Sequence, residues 1–223
     1  MNKGKLIVIE GIDGSGKSTQ YKLLLESLEA SGIAYKNIVF PRYSEESSAL
    51  IRMYLGGEFG THPDDVNAYT ASTFFSVDRF AAYSCDWGKY YNAGELIISD
   101  RYTTSNAIHQ GSKLPPEEIT GYFEWLADLE YRKMAMPEPD LVFYLDIDLE
   151  TSMRRMARRQ SDTNTHADIH EKDTEYLSKC LSAADTACSY YNWFRVPFMK
   201  EGRELSAEEK NKIILNKLLS VIR

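Results

Sequence analysis

Residues 11–18 read Gly11-Ile12-Asp13-Gly14-Ser15-Gly16-Lys17-Ser18, directly behind an apolar run and ahead of a helical pattern, Gln20-Tyr-Lys-Leu-Leu-Leu-Glu-Ser-Leu. A strand, a glycine-rich turn and a helix form a phosphate cradle. Glycines let backbone N–H groups curl around an anion without Cβ clashes, and the helix N-terminus adds partial positive charge. Lys17 supplies a mobile charge for β- and γ-phosphates, and Ser18 a hydroxyl for Mg²⁺. Gly11, Asp13, Gly14, Ser15, Gly16, Lys17, Ser18 and Thr19 are therefore the expected nucleoside triphosphate site.

Further chemistry falls at the ends of other apolar runs. Phe40-Pro41-Arg42 closes the second and Asp100-Arg101-Tyr102 the third. The Asp100 carboxylate can bind Mg²⁺ directly or through water. Arg42 and Arg101 carry planar forks suited to phosphate; either could instead be a surface ion pair, but two beside a triphosphate site point to a second phosphate, that of an acceptor. Phe75 and Arg79 lie four apart on one helix face, which offers stacking beside a donor fork and reads as a nucleobase site or as core packing. Met153-Arg154-Arg155-Met156-Ala157-Arg158-Arg159 leads into a stretch poor in apolar residues, 160–170. That stretch reads as an exposed loop or a lid, and lid arginines can stabilise a transferring phosphoryl group. Arg158 and Arg159 are the expected catalytic pair. Asp168-Ile-His-Glu171 opposes the run, and His166 and His170 read as exposed residues rather than metal ligands.

The elements that position these residues alternate. Apolar runs of strand length stand at 6–9, 37–40, 95–99, 141–146 and 195–199; helical patterns cover 17–31, 63–91, 103–114, 116–132, 149–159, 173–192 and 207–222. Continuous apolar runs suit strands buried on both faces, and strand–helix alternation predicts a doubly wound parallel five-stranded α/β sheet with ligands at its carboxyl ends. Gly32 is a natural stop for the first helix, and Ser206-Ala-Glu-Glu209 a capping box for the last. At 223 residues the chain reads as one domain with a small mobile lid at about 154–171.

Composition narrows the partners. A net charge of −7 argues against nucleic-acid binding. Cys85, Cys180 and Cys188 are odd in number and widely spaced, which fits a reducing cytoplasm and no structural zinc. No N-terminal secretory pattern and no membrane-spanning run is expected.

Phosphate loop, Phe-Pro-Arg, Phe-x-x-x-Arg and Asp-Arg-Tyr, in this order over essentially the whole chain, resemble the thymidylate kinases of the P-loop nucleoside monophosphate kinase family. The resemblance implies transfer of the γ-phosphoryl of ATP to dTMP with Mg²⁺, and a homodimer formed through helices near 63–91 and 116–132. It implies that Asp13 lies near the sugar 3′-hydroxyl and the metal, that Phe75 stacks on thymine, that Arg79 meets the base carbonyl, that Arg42 and Arg101 meet the acceptor phosphate, and that Asn106 approaches the base. Three departures stand out. Phe-Pro-Arg-Tyr replaces the eukaryotic Phe-Pro-Glu-Arg. His109 replaces a bacterial Tyr that packs under the sugar and disfavours a 2′-hydroxyl. Gly14 occupies the loop position of the eukaryotic catalytic Arg, which leaves that role to the lid arginines. A deoxynucleoside kinase, with Asp100 as base, a kinase of another nucleoside monophosphate, and a nucleotide-switched regulatory protein are the alternatives.

Overall fold

The protein is described here from a computed structural model covering residues 3–163 and 174–222. Strands β1 (Lys5–Glu10), β2 (Lys36–Val39), β3 (Leu96–Asp100), β4 (Leu141–Leu145) and β5 (Phe194–Val196) form one parallel sheet in the order 2-3-1-4-5. The central strand β1 is flanked by Ile98 beside Ile7 on one side and Val142 beside Val8 on the other. Leu6, Ile7, Val8 and Ile9 are wholly buried because helices cover both faces, as their unbroken apolar run requires. Val8 and Leu6 face one core with Trp87, Tyr102 and Phe123; Ile7 and Ile9 face the other with Leu24, Phe143 and Leu218.

The helices are α1 (Lys17–Ala30), α2 (Ala49–Leu55), α3 (Ala68–Ala82), α4 (Gly88–Asn92), α5 (Thr103–His109), α6 (Ile119–Ala127), α7 (Leu149–Thr163), α8 (Thr174–Tyr190) and α9 (Ala207–Ile222). The capping box of α9 is present: the Ser206 amide donates to Glu209 Oε2 (2.8 Å) and the Glu209 amide to Ser206 Oγ (3.2 Å). The long helical stretch expected at 63–91 begins later, at Ala68, where Asn67 Oδ1 accepts from the Thr70 amide (2.8 Å), and passes through a π turn, Tyr83–Trp87. A second π turn, Asp128–Lys133, follows α6.

Three expectations are corrected. Sequence reading left out α2, whose seven residues are too few for a clear period. The fifth strand stops at Val196, because Pro197 cannot donate to a ladder; the chain turns back as a hairpin of β6 (Met199–Lys200) and β7 (Arg203–Glu204). Helix α7 runs four residues past Arg159, since residues 160–163 contain neither Gly nor Pro, so the stretch expected as a loop from 160 opens as helix. The rest of the expected lid, with His166, Asp168, His170 and Glu171, lies outside the described residues.

Candidate active site

The carboxyl ends of β1, β2 and β3 open into one cavity of about 700 Å³. The phosphate loop forms part of its wall from Asp13 to Thr19. Gly11 stands behind that wall: with φ +156°, a Cβ there would lie 2.6 Å from Ser15 Oγ. Helix α1 starts at Lys17 without a side-chain cap, so its first-turn N–H groups remain for an anion. Lys17 itself is nearly buried, folded into the hollow with Nζ donating to Ile12 O (2.9 Å) and 3.7 Å from Asp13. Burial, reinforced by the Arg101 charge, pushes the Lys17 ammonium down to about 8 against the pull of Asp13.

Arg101 is the hub of the site. Its backbone is left-handed (φ +64°), a conformation that non-glycine residues occupy at a cost and that collects at functional positions. Nη2 donates to Asp13 Oδ1 (2.6 Å); Nη1 reaches Glu10 Oε1 (3.4 Å), Ser105 Oγ (3.3 Å) and His109 Nε2 (3.2 Å). Glu10, wholly buried, also accepts from Thr104 Oγ1 and Ser105 Oγ, both at 2.7 Å. Burial alone would raise the Asp13 carboxyl, but Arg101 and then Lys17 hold it well below the usual carboxylate range. Sequence reading assigned His109 to the sugar. The structure puts it on the cavity wall with its imidazole held between Arg101 and Tyr176, whose ring stacks on it at 6.3 Å between centroids.

Phe75, half-buried, faces the same cavity and meets Tyr54 edge-on at 6.4 Å. Arg79 and Asn106 line it beside Phe75; the Asn106 amide nitrogen donates to Ser72 O (3.2 Å). Arg79 is almost fully buried and its fork is gripped by the buried carboxylate of Glu130, a residue that sequence reading missed.

Two expected residues lie next to the cavity without lining it. The Arg42 amide donates to Asp78 Oδ2 (2.9 Å), its Nη2 to Ser47 Oγ (3.2 Å), and its Nε lies 3.5 Å from Asp78 Oδ1. Asp78, Pro41 and Tyr43 line the cavity, and Arg42 stands beside them, held by Asp78 and Ser47. Arg158 is not on the cavity wall either. Arg155 and Arg159, one turn apart on α7, are. Arg155 bridges the site, donating to Gly14 O (3.2 Å) and pairing with Glu204 of β7. Gly14 has φ +77°, and a Cβ there would lie 2.6 Å from Ser152 O, with Ser152 Oγ already bonded to Asp13 O (2.6 Å). A side chain at Gly14 would meet this backbone, and the arginines beside the phosphate loop are Arg155 and Arg159 of α7.

The chemistry of the set also suits a hard cation. Asp100 Oδ1 is buried without a hydrogen-bond partner, the Ser18 hydroxyl opens to the cavity, and Asp13 is adjacent. Burial raises the Asp100 carboxyl despite Lys17 and Arg101, a cost that a bound cation would offset. Among the described residues no group of three or more His, Cys, Asp or Glu side chains is arranged to hold a metal ion by itself. Mg²⁺ sites of one or two carboxylates plus substrate phosphates need none.

A sequence model of the family described as thymidylate kinase matches residues 9–206. The chain belongs to the thymidylate kinase family. It is 31% identical to the Mycobacterium tuberculosis thymidylate kinase over 172 residues, covering 76% of this chain and 79% of that one. It is 30% identical to that of Ruegeria pomeroyi over 217 residues, 96% of each chain. The human thymidylate kinase is 31% identical over 155 residues, 70% of this chain and 66% of that one. The fold matches the thymidylate kinase of Candida albicans with a TM-score of 0.68 at 22% identity, covering 98% of this chain and 92% of that chain. Membership agrees with a cavity that joins a phosphate loop to an aromatic and arginine-lined recess.

Proposed function

We propose that this protein transfers the γ-phosphoryl of ATP to dTMP, giving dTDP and ADP, a step in dTTP synthesis. The observation that carries the reading is the single cavity shared by the phosphate loop and the Phe75–Arg79–Asn106 recess, with Arg101 between them. The loop amides and Lys17 hold the donor phosphates. Arg101 grips the acceptor phosphate, and Phe75 stacks on the base while Arg79 donates to its carbonyl. Asp13, fixed by Arg101, faces the sugar. Arg155 and Arg159 bring positive charge over the transferring group. An acceptor phosphate oxygen is already ionised near neutral pH, so positioning and charge neutralisation carry the rate and no general base is required. Ser18 and Asp100 would hold Mg²⁺, which neutralises charge on the donor phosphates.

The remaining readings follow from the same features. α3 leaves Tyr69, Val77 and Phe80 exposed along one stripe, which supports a homodimer through this helix. Three free cysteines, and the lack among the described residues of any helix long and apolar enough to cross a membrane, support a cytoplasmic location.

ADP formation measured with dTMP, with thymidine and with no acceptor tests the function. ADP matched by dTDP in the first assay alone is expected. Phosphorylation of thymidine would make the protein a nucleoside kinase, and ADP release without acceptor a nucleotide switch.

A further inference from the structure

Glu130 has no exposed surface and is not on the cavity wall, yet its carboxylate gathers groups from two other elements. It accepts from Arg79 Nε (2.7 Å), from Arg79 Nη2, from Ser76 Oγ (2.8 Å) and from Thr103 Oγ1 (2.7 Å). Ser76 and Arg79 belong to α3, Thr103 opens α5, and Glu130 sits within the π turn after α6. Such turns inside helical stretches recur at functional positions, because the extra residue re-aims a side chain.

Burying two charges costs solvation that an apolar pair would not lose, so the pair is poor evidence for stability alone. What it supplies is geometry. Arg79 Nη1 reaches Tyr102 O (3.4 Å), so three of the five guanidinium N–H groups are committed and the plane is fixed, with one edge left for the cavity. The pair is also neutral. That end of the cavity offers a directed donor without net charge, unlike the end around Arg101 and Lys17.

We propose that Glu130 is a positioning residue that sets base specificity: by clamping Arg79 from behind, it makes the recess read a neutral keto oxygen on a pyrimidine and reject an amino group at the same place. A keto oxygen accepts from the aimed N–H, whereas an amino group meets it donor to donor and leaves both unpaired. This rests on the reading that the Phe75–Arg79 recess holds the base of dTMP.

The test compares the full-length wild type with Glu130→Gln, which keeps the shape but turns one accepting oxygen into a donor. KM and kcat are measured for dTMP and dCMP at fixed ATP, with KM for ATP and thermal melting alongside. KM for dTMP is expected to rise at least about tenfold, the ratio of kcat/KM for dTMP over dCMP to fall, and KM for ATP to stay within about twofold. In an Arg79→Ala background the Glu130 change should add nothing to KM, because it acts through Arg79. Lower melting with unchanged KM for dTMP and an unchanged dTMP-to-dCMP ratio would overturn the proposal and leave Glu130 structural. If Glu130→Gln does not fold, Ser76→Ala and Thr103→Val each remove one anchor and keep the ion pair; a rise in KM for dTMP with either supports the clamp, and wild-type KM in both overturns it. A wild type that does not use dTMP fails the base-site reading itself and this proposal with it. A wild type that uses dTMP while the variants keep its KM fails the proposal alone.

Discussion

The floor and the roof of the cavity are built on opposite plans. On the floor, each arginine is held by carboxylates: Arg79 by the buried Glu130, and Arg101 by the half-buried Asp13 and the buried Glu10. These partners lie 51, 88 and 91 residues away along the chain, so the floor exists only in the folded protein. The roof is one helix, α7, that brings Arg155 and Arg159 over the phosphate loop, with Arg155 tied to Gly14 O and Glu204 at a half-exposed position. A floor fixed in advance spends folding energy to present donors in one geometry. A roof on an exposed helix contributes charge at little cost to the fold. Loss of a floor residue should therefore damage binding and stability together, and loss of a roof residue should damage turnover alone.

The largest effect is expected at the roof. Arginines aimed at a transferring phosphoryl group are worth roughly 10³–10⁵ in kcat. Arg155→Ala and Arg159→Ala together should lower kcat about a thousandfold, with small changes in either KM and in melting temperature, since the contact matures in the transition state. The Arg159 charge already acts on Asp13, which ties it to the reacting end of the cavity. Arg158→Ala, off the cavity wall, should stay within a few-fold. A larger loss from Arg158 than from Arg159 would reverse the assignment of the two faces of α7.

Next comes the floor. Arg101→Lys keeps a charge but loses the fork that spans Asp13 and Glu10 and that the proposed function turns toward the acceptor phosphate. Charge-assisted bonds of this kind are worth about 1.5–3 kcal/mol each, so kcat/KM for dTMP should fall on the order of a hundredfold. Melting should fall as well, because Glu10 is wholly buried and loses its cationic partner. A lysine variant with wild-type kinetics and melting would mean that Arg101 acts as a point charge and that the floor is no more preorganised than the roof.

The same contrast explains what the sequence made legible. The phosphate loop, the first four strands and the α9 cap are local patterns, each written within about ten residues, and they stand within a residue of where they were expected. Arg101 was legible because it ends a strand. Arg42 ends one too, but Asp78 on α3 captures it, and no local pattern carries a pairing across 36 residues. Gly14 was legible as a loop glycine, while the backbone of Ser152 that a side chain there would meet was not. Glu130 did leave a trace. Ile119, Tyr122, Phe123 and Leu126 form the buried face of α6, and Glu130 follows Leu126 by four residues, on that face. A carboxylate at an apolar position of a helix needs a buried cation, and Arg79 is the one that a base site would supply.

The smallest effect separates the two plans through pH. Lys17 belongs to the donor end and is buried without a carboxylate in hydrogen-bond contact, Asp13 standing 3.7 Å away. Its ammonium titrates near 8 in the ligand-free protein, below the ordinary 10.5. The sign follows from proton counting. Between these values the unfolded chain holds a proton that the folded protein has released, so the cost of burying the ammonium, present below about pH 8, fades as pH rises toward 10.5 and this group's effect is to make the fold more stable. Donor binding runs the other way. A triphosphate favours the charged form, so above pH 8 ATP must bind together with a proton, and Kd should rise about tenfold for each further pH unit. Calorimetric titration of ATP from about pH 7.5 to pH 9 should show roughly an order of magnitude of weakening, with proton uptake visible as a dependence on buffer ionisation enthalpy. Lys17→Met should bind weakly with no such slope. The dTMP Kd, which the proposed reading assigns to Arg101 and Asp13, whose charges hold through this range, should stay flat. A flat ATP profile beside a sloping dTMP profile would place the titrating group at the acceptor end and undo the division between the two.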